Sequence, residues 1–250
     1  MIRVGIIGCG KLGRDIAQKL QEGKAPGCKL VGVFSRTAER TQVFATEFDC
    51  VACCSLDELL ALQPTYILEA ANAQAVREHA TACLRAGSNI ISLSTGALCD
   101  ENFYQEVEAA AHTGGVKFYV APGVIGGLDL ASMALVAGET KGTLTKIHTT
   151  PSQIGLPETY SGTTREAYEM CPAHLNISIT AGLACGGLDT THMCLKPKKE
   201  GELEGIQLKL EGVFGTAYVE CRRTNTPGVP AMAAWSAVAV LRRATSLIEF

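Results

Sequence analysis

The chain has 250 residues, of which 47% are hydrophobic and 19% charged, and its formal net charge is −3. That length allows one large or two modest domains with packed cores, and the balanced charge excludes the basic stripe of a nucleic-acid-binding surface. No run approaches the roughly 18 apolar residues of a membrane helix, and a β-strand starting at the N-terminus leaves no signal peptide, so a cytoplasmic protein with no membrane partner is expected.

The first predicted strand is the β-branched run holding Ile2, Val4, Ile6 and Ile7. It runs into Gly8, Gly10 and Gly13, the G-x-G-x-x-G spacing, and then into a helix over 11–21 with Leu12, Ile16, Ala17 and Leu20 on one face. "KLVGVFSR" reads as the second strand, ending at Phe34 with Ser35 and Arg36 just beyond. A glycine turn between a strand and a helix, with a second strand about 20 residues on, is the setting in which this spacing holds a dinucleotide. Gly8 then makes the turn, Gly10 admits the pyrophosphate to the backbone, and Gly13 lets helix and strand approach. The usual ribose-binding carboxylate after the second strand is missing. Ser35, Arg36 and nearby Arg40 offer donors and positive charge there, which favours NADP or acceptance of NADP and NAD alike. A pair of solvated arginines on the next helix is the alternative.

Further along come a helix near 37–48, a short segment at 50–54, and "SLDELLAL", where Ser55 and Glu58 fit a capping box. "YILEAAN" is a strand whose end faces the cofactor. "QAVREHATACLRAG" is a helix stopped by Gly87, "NIISLSTGAL" a further strand, 100–112 a helix, and "VKFYVAP" the next strand. This alternation predicts an α/β fold with a doubly wound parallel sheet. Beyond Pro122 the pattern shifts to a glycine-rich turn, a helix, and the strands "TLTKIHTTP", "THMCLKP", "GIQLKLEG" and "GTAYVECRR", expected as an antiparallel α+β domain. The closing apolar helix is expected to pack back on the first domain or on the domain junction. The expected division is 1–121 with 226–250 for a dinucleotide-binding domain, and 122–225 for a substrate and dimerisation domain.

The eleven cysteines are scattered through apolar runs. The Cys50–Cys53 C-x-x-C has no second pair at metal-site spacing, so small buried thiols are the default and no metal is expected.

"GIIGCGKLG", "NIISLSTGAL", "VAPGVIGGLD", "SGTTREAYEMCPAHLNISITAGLACGGLD", "LEGVFG" and "MAAWSAVAVLRR", in order along nearly the whole chain, resemble the L-aspartate dehydrogenase family. The resemblance implies a Rossmann domain completed by the C-terminal helix, an α+β substrate domain, a homodimer, and hydride transfer from the Cα of L-aspartate or a relative to NAD or NADP. Cofactor contacts are implied for Gly8, Gly10, Lys11, Leu12, Gly13, Ser35, Arg36, Ala70, Ala71, Ser94, Thr95, Gly96 and Ala97, and substrate contacts for Pro122, Gly123 and Asn176. One departure stands out. The N-x-H motif that such proteins carry before the "EG-x-FG" strand falls here on Glu204 and Ile206, so the histidine expected to act as acid/base is absent. His174 in "CPAHLN" is the nearest substitute, with a capping or packing histidine as the equal alternative. His79 and His112 read as surface residues, and His148 and His192 as structural ones. Two functions stay open, an amino-acid dehydrogenase or imine reductase, and a nucleotide-binding protein that has lost the reaction.

Overall fold

The computed structural model describes residues 1–148, 155–172, 175–222 and 232–248. They fall into two compact units, Met1–Gly123 with Pro230–Phe250, and Val124–Val229.

The first unit alternates strand and helix. β1 (Ile2–Ile7), α1 (Lys11–Gln21), β2 (Cys28–Phe34), α2 (Ala38–Phe48), β3 (Val51–Cys53), α3 (Leu56–Ala61), β4 (Tyr66–Glu69), α4 (Ala73–Arg85), β5 (Asn89–Ser92), α5 (Glu101–Gly114) and β6 (Phe118–Val120) follow in turn. The sheet order is β3-β2-β1-β4-β5-β6 with every pair parallel. Its middle strands are apolar because both faces are covered, and Ile6, Ile67, Leu68 and Ile91 are fully buried. The order reverses at β1. Strands β1 and β4 lead away in opposite directions there, which opens a crevice at their carboxyl ends where an α/β sheet takes its ligand.

The helices stop and start on local chemistry. Asn72 and Asp100 cap α4 and α5 with side-chain oxygens. Gly87 and Gly115 take positive φ just past them. At α3 the expected box is only half made: the Ser55 hydroxyl accepts from the Glu58 N–H, while the Glu58 carboxylate takes the Cys54 N–H instead of that of Ser55. The "NIISLSTGAL" segment also departs from expectation. β5 ends at Ser92 and Thr95–Cys99 is a 3-10 turn, because the Ser92 hydroxyl turns back to accept the Ser94 N–H and breaks the ladder.

The final helix α9 (Met232–Ala244) belongs to this first unit, where it packs against α1 and β5. Ala234, Ala237, Val238, Val240 and Leu241 join the core that holds Ile16, Ala17 and Phe44, each larger side chain contributing about 1.5–3 kcal/mol by burial. Ser236 Oγ accepts the N–H of Gly123, where φ is +65°, and Ala244 accepts the Tyr66 hydroxyl.

The second unit is a five-stranded sheet, with α6 (Leu128–Ala137), β7 (Thr140–His148), β8 (Tyr160–Thr163), α7 (Thr164–Met170), α8 (Asn176–Ala184), β9 (His192–Pro197), β10 (Gly205–Gly212) and β11 (Gly215–Arg222). The order is β11-β10-β7-β9-β8. It is mixed rather than wholly antiparallel: β7 and β9 run parallel, since the long segment between them, including β8, α7 and α8, provides the crossover that a parallel pair requires. Helix α6 lies against β10, and α8 against β7. Ile206, Leu208 and Leu210 of β10 join Leu144, Ala131, Ala181 and Cys185 beneath them.

Candidate functional site

The glycine turn shows three different requirements. Gly8 has φ +113°, and a Cβ there would stand 2.9 Å from the Ala70 carbonyl, so the ends of β1 and β4 approach only through a glycine. At Gly13 a Cβ would stand 2.0 Å from the Gly8 oxygen, which makes this glycine a packing requirement of the strand-to-helix turn. At Gly10 nothing lies within 4 Å and φ is −76°, so neither packing nor conformation demands glycine. What remains is space outside the turn. Gly10 opens α1 without a side-chain cap and with no acidic residue in the first turn, leaving the helix N-terminus to an incoming anion. These residues fit a dinucleotide pyrophosphate.

Beside the turn is a cavity of 230 Å³ lined by Gly8, Gly10, Phe34, Ser35, Arg36, Arg40, Ala70, Ala71 and the first turns of α4. Pockets that enclose a whole small ligand measure about 300–1,000 Å³, so this one suits one half of a dinucleotide. Its floor is Phe34, with the His79 ring edge-on at 5.4 Å. His79 is therefore half-buried against an aromatic ring rather than a surface residue. Arg36 and Arg40 are exposed at the rim, and neither forms an ion pair among the described residues. Ser35 Oγ is within 2.8 Å of the Thr41 hydroxyl, which fixes the turn leaving β2.

The other sequence-predicted positions lie outside this cavity. Lys11 pairs with Asp15 at 2.8 Å, and Leu12 packs on the core. Ser94, Thr95 and Ala97 are buried, with Gly96, in the turn after β5. Pro122 and Gly123 follow β6, and Asn176 is the first residue of α8, in the second unit. His174 lies outside the described residues. His148 is buried with Nε2 2.9 Å from the Glu158 carbonyl, whereas His192 is exposed at the start of β9, so its strand position gives it no core role. His112 is exposed on α5.

Glu69, which motif spacing does not flag, ends β4 beneath the cavity and is 3% exposed. Its carboxylate accepts from the Ala71 N–H at 2.7 Å, Ser92 Oγ at 2.7 Å and Ser94 Oγ at 3.0 Å. Burial pushes its pKa up, and those donors oppose the shift. The only available signal was an acid inside an apolar strand, "YILE".

The cysteines form no second site. All eleven are free, burial and the neighbouring Cys53 and Cys9 push the Cys50 thiol up to about 12, and no cluster of metal-ligating residues occurs among the described residues. An activated C-x-x-C has a lowered thiol pKa instead.

The family described as homoserine dehydrogenase, NAD binding domain, matches residues 8–121, and aspartate dehydrogenase, C-terminal, matches residues 134–244. L-aspartate dehydrogenase 2 of Bordetella bronchiseptica is 30% identical over 260 residues, covering 96% of this chain and 96% of its own. The chain belongs to the L-aspartate dehydrogenase family. It is an NAD(P)-dependent dehydrogenase of a small-molecule substrate. The L-aspartate dehydrogenase of Methanocaldococcus jannaschii is 28% identical, covering 97% of this chain and 96% of its own. The crystal structure of aspartate dehydrogenase from Thermotoga maritima shares the fold, with a TM-score of 0.76 at 20% identity over 100% of this chain and 99% of that one. Within the described residues, no helix is long and apolar enough to cross a membrane.

Proposed function

We propose that this member of the aspartate dehydrogenase family oxidises the amine-bearing carbon of L-aspartate, or of a closely related amino acid, to an imine, or runs the reverse reduction. The observation that carries the reading is the division of labour among the glycines: Gly8 and Gly13 are demanded by packing, while at Gly10 neither packing nor backbone conformation demands glycine among the described residues, which leaves room for the dinucleotide. When bound, the dinucleotide supplies the hydride acceptor. The chain's residues do the rest. Gly10 and the start of α1 take the pyrophosphate, Ala70 and Ala71 line the cavity beside Phe34, and the turn 94–97 follows β5, where the reacting half belongs. Pro122, Gly123 and Asn176 are assigned to the substrate, and two copies of the chain to the working enzyme, in the cytoplasm.

Hydride can leave only from a carbon bearing a neutral amine, so a base is needed near the substrate nitrogen. We assign that role to His174. The decisive assay is NADPH oxidation with oxaloacetate plus ammonia, and NADP⁺ reduction with L-aspartate. Turnover in both directions is expected, and cofactor binding without turnover on any dicarboxylate would overturn the reading. One observation favours that second reading, a nucleotide-binding protein without the reaction: Ile206, at the family's histidine position, is buried in an apolar cluster with Leu208 and Leu210.

We also propose that NADP(H) is preferred. Arg36 and Arg40 stand exposed at the rim of a cavity that Glu78 also lines, neither in an ion pair among the described residues, where the 2′-phosphate of the ribose would arrive. Arg36→Asp replaces a cation by an anion at that position, and NADPH affinity is expected to fall by about tenfold or more, the worth of one good charge-assisted contact, with NADH unchanged within a few-fold. Equal losses in fluorescence titrations with the two cofactors would refute the assignment.

A further inference from the structure

Glu69 sits where an apolar residue would satisfy the sheet. It is 3% exposed, at the carboxyl end of β4, and no cation is among its partners in the described residues. Among the described residues its carboxylate accepts from the Ala71 N–H, Ser92 Oγ and Ser94 Oγ, and the Asn72 backbone N–H also favours its charged form. That set suits an ionised carboxylate, which is purely an acceptor. Burial nevertheless raises its pKa, so the sign is clear. A carboxyl whose folded pKa lies above its unfolded value contributes stability at acid pH that is lost as pH rises through the folded pKa. The fold does not explain its presence.

Its position suggests what does. The cavity beside Phe34 and Arg36 takes one half of the dinucleotide, at the ends of β2, β1 and β4 and the start of α4. The other half must continue along the carboxyl ends of the sheet past β4 and β5. Those are the two strands whose ends Glu69 joins, since its carboxylate bonds Ser92 and Ser94 of one and Ala71 after the other. The nicotinamide ring carries a positive charge when oxidised and none when reduced. An ionised carboxylate in a low-dielectric setting, with no cation among its partners in the described residues, distinguishes the two.

We propose that Glu69 is a specificity-determining residue for the redox state of the cofactor, its charge favouring the oxidised, cationic dinucleotide over the reduced, neutral one. The proposal rests on the dinucleotide crossing the sheet at the β1–β4 crevice. It is tested by binding alone, with NADP⁺ and NADPH titrated separately into the full chain by calorimetry. Wild type is expected to bind NADP⁺ at least as tightly as NADPH. Glu69→Gln keeps the shape and removes the charge, and is expected to weaken NADP⁺ by about tenfold while NADPH stays within roughly threefold, the scale of one charge acting through partly screened protein interior. A merely structural Glu69 would weaken both forms together in Glu69→Gln, and that result overturns the proposal. So does a wild type that binds NADPH tenfold more tightly, a measurement that needs no variant to fold. A wild type that binds neither form would instead refute the crevice as the cofactor site, a separate failure.

Discussion

Gly10→Val is expected to abolish dinucleotide binding in a protein that still folds. The backbone at Gly10 has φ −76°, which valine adopts without strain, and nothing among the described residues lies within 4 Å of the added Cβ. The branched side chain therefore occupies only the space that the pyrophosphate needs. The cost to the fold is that of a poor residue at the start of α1, about 1 kcal/mol, or a few degrees in Tm. Gly13→Ala is the contrasting variant. Its methyl would stand 2.0 Å from the Gly8 oxygen, and both partners are backbone, so the turn itself must move. Overpacking of that kind costs about 1–3 kcal/mol or more, and Tm should fall by roughly 5–10 °C. Thermal melts and NADPH fluorescence titrations on the two variants separate ligand space from packing. Wild-type NADPH affinity in Gly10→Val would mean that the glycine turn serves only to join strand and helix.

The sequence made the first unit legible because its rules are local. β-branched runs, a glycine turn and capping residues all fall within a few positions of what they determine, so β1, α1 and the end of β2 lie where the pattern puts them. The second unit was harder. Its sheet pairs β7 with β9 across a long intervening segment, and strand direction there depends on chain reversals that periodicity does not encode. β8 and α7 lay within a stretch quoted only for its family likeness. Yet α7 carries a local signal, Thr163 with Glu166 three residues on, which closes a full capping box. Glu69 was hidden for a different reason: its meaning comes from Ser92 at the end of a neighbouring strand and Ser94 in the turn after it, more than twenty positions away. Likewise the edge-on packing of His79 against Phe34 joins a helix to a strand that no spacing rule connects.

With the acid/base role assigned to His174, His174→Ala is expected to cut kcat/KM for amine oxidation by about 10²-fold or more, the usual worth of a general base, while NADPH affinity stays within a few-fold. The other histidines are poorly placed for the role. His79 lies in the Phe34 cavity, at the half of the dinucleotide that does not react, and His112 is exposed on α5. His148 is buried with its Nε2 at the Glu158 carbonyl, and His192 is exposed at the start of β9. His174 stands two positions before Asn176, the family-matched substrate residue at the start of α8. Loss of the acidic limb of the pH–rate profile should accompany loss of rate, and full activity in His174→Ala would reduce His174 to packing. Ile206→His supplies the complementary test. The side chain enters an apolar cluster with Leu144, Leu208 and Leu210. An imidazole without a partner there costs about 1–3 kcal/mol, and burial holds it neutral, the form a base requires. The variant is expected to melt several degrees lower and to oxidise L-aspartate faster than wild type. If it folds and remains inert toward L-aspartate, the substrate is a different amino acid.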